Sequence, residues 1–182
     1  MVVLTSKPLE TGKWSAPDFN LKGTDEHMHS LSDFKKGKGI VVYFTCNHCP
    51  YAKVSWPLMI DLAKEYKDRR IKFVAINPNE PMHPDDSFER MKEEVIERTI
   101  PFPYLVDSTQ EVAQAYQAQC TPDIYLFDEN MNLYYHGRIN DSWQDARQVK
   151  EENLKDAIES LLHGDSPPKL QPPSMGCSIK WK

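Results

Sequence analysis

Two runs rich in apolar and β-branched residues constrain this chain most: Ile40-Val41-Val42-Tyr43-Phe44 and Ile71-Lys72-Phe73-Val74-Ala75-Ile76-Asn77. Runs of this kind have almost no polar side to offer solvent, so they belong to strands covered on both faces. Between them Leu58, Leu62 and Tyr66 recur on one side of a segment that predicts a helix from about Cys49 to Tyr66, kinked or restarted at Pro57. A strand, a helix and a second strand in that order make a parallel unit. The junction between the first strand and the helix reads Cys46-Asn47-His48-Cys49-Pro50.

The rest of the chain extends that unit. Ala16 to Leu21 and the turn at Lys22-Gly23-Thr24 suggest a short strand pair. Phe88, Met91 and Val95 repeat at helical spacing, with Asp85, Asp86 and Ser87 as candidate caps. Phe102 to Val106 reads as a short strand and Gln110 to Ala118 as a helix. Ile124 to Phe127 and Leu133 to His136 flank a turn at 128–132, which predicts a hairpin. Leu154, Ile158, Leu161 and Leu162 form the stripe of a last helix, with Gly164 beyond its end. The expectation is an α/β fold: a central mixed sheet with helices on both faces. Residues 1–15 read as an arm, 16–164 as one domain and 165–182 as a proline-rich tail. Met175, Ile179 and Trp181 are poor residues to leave in water, so the tail is expected to pack back onto the domain.

Charge narrows the functional classes. The 22 basic and 27 acidic residues give a formal charge of -5, and the two signs are interspersed, which argues against nucleic acid or an acidic membrane surface as a partner. The longest apolar stretch is far too short to span a bilayer, and the first ten residues hold no apolar secretory core. A cytoplasmic protein is expected.

Cysteine usage points to chemistry. Four cysteines, Cys46, Cys49, Cys120 and Cys177, are too few for a disulfide scaffold in a chain of this length. A Cys-x-x-Cys pair at a strand-to-helix junction instead reads as redox-active, or as an inert pair or half of a zinc site. Cys46 is expected to be exposed near unpaired helix N–H groups and beside His48, whose cationic form would favour a thiolate. Cys49, deeper in the helix, is expected to resolve a mixed disulfide. Thr121-Pro122, directly before a strand, is placed for a cis bond, and such a loop presents the Thr121 backbone to a bound thiol or peptide. Cys120 adjoins that loop and Cys177 lies in the tail; each is either an extra redox thiol or a small buried hydrophobe.

These segments carry a resemblance. Thr45 to Tyr51 resembles the active-site segment of thioredoxin-fold redoxins, and Ala16-Pro17-Asp18-Phe19 resembles the entry segment of the alkyl hydroperoxide reductase/thiol-specific antioxidant group. Cys120-Thr121-Pro122-Asp123, Tyr135-His136-Gly137-Arg138 and Gly176 to Trp181 are similar to a peroxiredoxin-like subgroup of it. The resemblance implies a thioredoxin-like fold with Cys46 and Cys49 at the active site, Pro122 cis beside them and no cofactor. It departs in three ways, one being that Pro57 falls eight residues after Cys49 where thioredoxins place their helix-kinking proline five after. The positions that carry Pro and Thr or Ser ahead of a peroxide-reacting cysteine are Val42 and Cys46 counted from Cys49, and Gly39 and Tyr43 counted from Cys46. The buried acid of thioredoxins is replaced by Ile40. The expected function is thiol–disulfide exchange with protein or small-molecule thiols, supplied by a thioredoxin- or glutathione-type reductant. The alternatives are a weak antioxidant thiol peroxidase, resolved by Cys120 or Cys177, and a copper-holding protein using Cys46, Cys49 and His136.

Overall fold

A computed structural model describes residues 2–80, 82–143 and 145–182. Its centre is a seven-stranded sheet. Strands β4 (Gly39–Phe44) and β5 (Ile71–Asn77) lie side by side in parallel, and β6 (Tyr104–Val106) continues the parallel part beyond β5. On the other side of β4 run β8 (Asp123–Asp128) and β9 (Leu133–His136), each antiparallel to its neighbour. Strands β2 (Asn20–Gly23) and β3 (Met28–Ser30) finish the β6 edge, giving the order β3-β2-β6-β5-β4-β8-β9.

The period-2 alternation of β4 splits its side chains between two cores, which is why the run has no polar side. Val41 and Tyr43 point toward helices α1 (Pro50–Glu65) and α4 (Asn153–His163), against Trp56, Met59, Leu154 and Ile158. Ile40, Val42 and Phe44 point the other way, against Phe34, Tyr116 and Tyr125. Helix α2 (Phe88–Arg98) sends Met91 into the first core and α3 (Glu111–Ala115) sends Ala113 into the second. Proline at the first position suits a helix start, because its missing N–H is one that no turn would satisfy. Helix α1 runs through Pro57 as one element, so the helix does not restart there.

Both ends of the chain join a second, three-stranded antiparallel sheet that short-range patterning does not announce. Strand β10 (Met175–Ser178) lies between β1 (Val3–Thr5) and β7 (Cys120–Thr121), with Cys177 opposite both Val3 and Thr121. Residues 1–15, read as an irregular arm, thus carry a strand, and Trp14 stacks on Phe127 at 5.9 Å. The tail is tied along its length. Arg138 donates its N–H to the Pro172 carbonyl at 3.0 Å, Ser174 its hydroxyl to the Gly137 carbonyl at 2.7 Å, and Lys180 its N–H to Asn79 Oδ1 at 2.8 Å. Among the described residues, no helix is long and apolar enough to cross a membrane.

Candidate active site around Cys46

The end of β4 delivers Thr45 to Cys49 to the edge of the sheet, and Asn47 fastens that loop. Its N–H donates to Asp86 Oδ1 at 2.5 Å, its side-chain amide donates to the Asp85 carbonyl at 2.9 Å, and it accepts from the Tyr104 hydroxyl at 2.9 Å. The Asp86 carboxylate is fully buried, and its other oxygen takes the Nδ1 hydrogen bond of His48. The imidazole stacks on His83 with ring centroids 4.1 Å apart. The bond to Asp86, and then the contact with Cys46, push the His48 ring up to about 10 from its usual 6.5. His48 therefore carries a positive charge throughout the neutral range.

Ligand atoms of Cys46, His48 and Asp86 all lie within 4.8 Å of one another. They form a sulfur, an imidazolium and an orienting carboxylate, the arrangement by which a histidine is held in one orientation beside a nucleophile. The same trio is the one group among the described residues with the donor set of a small metal site. A protonated imidazole has no lone pair to give, so metal binding there competes with the charge that Asp86 stabilises.

Cys46 departs from expectation in two respects. It is fully buried rather than exposed, and it stands three residues ahead of Cys49, the N-cap of α1, so the helix terminus adjoins Cys49 instead. Its surroundings are polar, however: Sγ lies 3.2 Å from the Thr121 hydroxyl, within reach of His48. Cys46 and Cys49, read as a redox-active pair, are not bridged to each other. Cys49 is joined to Cys177, with their Cα atoms 6.2 Å apart, while Cys46 and Cys120 keep unbridged thiols. Two turns of geometry bring this about. The N-cap backbone of Cys49 is extended, φ -73° and ψ 126°, and the register of β10 on β7 sets Cys177 beside Thr121.

Thr121-Pro122 is a cis peptide at the same place. The Thr121 carbonyl lies 3.2 Å from the Cys49 sulfur, and the Thr121 backbone that was read as a cradle for a partner is paired with the chain's own Cys177. Cys120 faces away. Its thiol donates to the Pro122 carbonyl at 3.4 Å, and burial followed by the nearby Asp123 charge pushes it far above its usual range, so it is poorly suited to nucleophilic work. His136 is likewise committed: Nε2 bonds Asp123 Oδ1 at 2.8 Å and the ring stacks on Tyr125. The copper set Cys46, Cys49 and His136 is not assembled, since Cys49 is bridged and His136 is held by Asp123.

Beside the bridge a cavity of about 280 Å³ opens between Tyr51, Val54, Leu58, Pro122, Trp143 and Met175. Tyr51 and Trp143 form one wall, with ring centroids 4.2 Å apart. Its lining is mainly apolar, and Cys49 and Cys177 lie buried behind it rather than on its wall.

The chain is similar to known proteins over this whole assembly. The AhpC/TSA family model matches residues 13–136. Thiol-disulfide oxidoreductase ResA of Geobacillus kaustophilus is 32% identical over 117 residues, which are 64% of this chain and 63% of that protein. ResA of Oceanobacillus iheyensis is 31% identical over 158 residues, 84% of this chain and 72% of that one. The chain thus spans 63% of the length of the first of these relatives. Among solved structures, an uncharacterized conserved protein from G. kaustophilus is 42% identical with a TM-score of 0.94, covering 100% of this chain and 97% of the other. A hypothetical protein from Sinorhizobium meliloti 1021 is 34% identical with a TM-score of 0.92, covering 98% of each. A putative thiol:disulfide interchange protein DsbE from Chlorobium tepidum, at 23% identity and TM-score 0.67 over 85% of this chain and 99% of that one, shares the fold.

Proposed function

The chain belongs to the AhpC/TSA family, and on that premise we propose that it is a thiol–disulfide oxidoreductase with Cys46 as nucleophile and Cys49 as resolving thiol. One observation carries the reading: an unbridged sulfur, Cys46, sits against a carboxylate-held imidazolium and next to a cysteine already engaged in a disulfide. In the reduced enzyme the Cys46 thiolate attacks a substrate disulfide, with His48 as its counter-charge, and one substrate sulfur leaves with the electron pair. The Cys49 thiolate then attacks Cys46 Sγ in the mixed disulfide and releases the second substrate sulfur. His48 also serves as the counter-charge for departing thiolates, and Asp86 keeps its ring turned toward Cys46. Substrates are protein or small-molecule disulfides seated against Tyr51 and Trp143, and a thioredoxin- or glutathione-type thiol returns the electrons. We place the protein in the cytosol, where a bridge such as Cys49–Cys177 is a turnover state rather than a permanent staple. Turnover of insulin disulfides or an aromatic disulfide in the presence of dithiothreitol tests the assignment. Cys46→Ser is expected to fall to the uncatalysed rate, and a Cys46→Ser enzyme as fast as the parent would overturn it.

Peroxide reduction is the second reading, favoured by the Thr121 hydroxyl 3.2 Å from Cys46 Sγ. A separate segment thereby supplies the hydroxyl that the local motif lacks. Stopped-flow mixing with hydrogen peroxide decides it: consumption no faster than by free cysteine removes this reading.

A further inference from the structure

Cys49, Cys46 and Cys177 share one buried cluster, and Thr121 touches each of them: its hydroxyl meets Cys46, its carbonyl meets Cys49, and its backbone pairs with Cys177. Cys177 is therefore held at the active site by strand pairing as well as by the bridge. Gly176 makes that approach possible, because a Cβ at this position would come within 2.2 Å of the Thr121 carbonyl oxygen. The bridge present joins Cys177 to the resolving cysteine and leaves the nucleophile as a thiol. By electron count such a state stands one disulfide above the fully reduced chain, with Cys46 still a thiol.

We propose that Cys177 is a third catalytic cysteine, which draws the disulfide off Cys46 by intramolecular exchange. The inference rests on the thiol–disulfide reading above. After a substrate has been reduced the enzyme holds a Cys46–Cys49 bridge. The Cys177 thiolate attacks Cys49 Sγ, the Cys49–Cys177 bond forms and the Cys46–Cys49 bond breaks. The electron pair stays on Cys46, beside the His48 cation that stabilises a departing thiolate. One disulfide is exchanged for another, so the step needs no oxidant or reductant. The proton lost by Cys177 passes to solvent, and Cys46 is left ionised against its imidazolium. The external reductant then acts on Cys49–Cys177, next to the cavity bounded by Tyr51, Pro122 and Met175.

Two bridges that interconvert are separable by time. The fully reduced, full-length protein is mixed with a small aromatic disulfide, quenched in acid at intervals, alkylated under denaturing conditions and mapped as non-reduced peptides. A Cys46–Cys49 peptide is expected first, giving way to Cys49–Cys177 as Cys46 becomes alkylatable. In Cys177→Ser the first bridge is the end state, and in Cys46→Ser formation of Cys49–Cys177 slows by at least about tenfold. Direct appearance of Cys49–Cys177 without the earlier species, or its formation at the parental rate in Cys46→Ser, overturns the relay. The wild-type time course needs no variant, so a misfolded Cys177→Ser leaves the test intact. Disulfide turnover unaffected by Cys46→Ser is a different result: it removes the underlying assignment rather than the relay alone.

Discussion

His48 and Asp86 show how a single pair sets the character of this site. In the folded chain the imidazole stays protonated up to about 10, with the Asp86 bond as the largest cause. A proton held more tightly in the folded state stabilises it fully below the unfolded value, about 6.5, and that contribution drains away as pH rises toward 10. Asp86→Asn is therefore expected to lower the denaturant midpoint most at pH 6, with the gap to the parent narrowing by pH 10. A gap that is constant or that widens would contradict the pairing. His48→Asn, which removes the cation from beside Cys46, should slow disulfide turnover by about 100-fold, measured as kcat/KM with a small disulfide. The motif made His48 visible because it lies between the two cysteines. Asp86 lies 38 residues further on and was legible only as a cap, since nothing in local spacing says that an acid will be folded back onto an upstream loop. Ser87 takes the capping position instead.

Elements differ sharply in how far their own residues announce them. The strands β4 and β5 are 6 and 7 residues long and buried on both sides, so continuous apolar character reveals them. The stripes of α2 and α4 are equally plain, because one face of each meets the sheet. By contrast β1, β7 and β10 have 3, 2 and 4 residues, too few for any period to emerge, and Pro172 and Pro173 disguise the approach to β10. What identifies that strand is Gly176, a residue whose need is visible only against Thr121. Gly176→Ala should push β10 off β7, because the clash is with backbone and no side chain can swing aside. The expected cost is about 1–3 kcal/mol. Thiol titration of the oxidised, native-folded variant should then find Cys49 and Cys177 unbridged. A bridged Gly176→Ala protein of parental stability would show that the close approach matters little.

For the molecule as a whole the bridge is a long closure. Cys49 and Cys177 are separated by 128 residues, and a loop of about 100 residues already removes some 4.7 kcal/mol of chain entropy from the unfolded state in the simplest treatment. Oxidised protein should accordingly unfold at higher urea than protein kept in dithiothreitol, whereas Cys177→Ser should show the same midpoint in both. Equal midpoints for the parent would mean that the reduced tail stays as firmly seated as the bridged one. The fold class followed from the order of strands and helices, and the chemistry from the cysteine motif. The actual partner of Cys49 did not, because pairing across such a separation depends on where the last strand docks. The seven-stranded sheet is complete at His136, well before Cys177 is added to a growing polypeptide. During synthesis, then, the sheet that carries Cys46 and Cys49 can take shape before the last strand arrives, and the Cys49–Cys177 bond can close only afterwards.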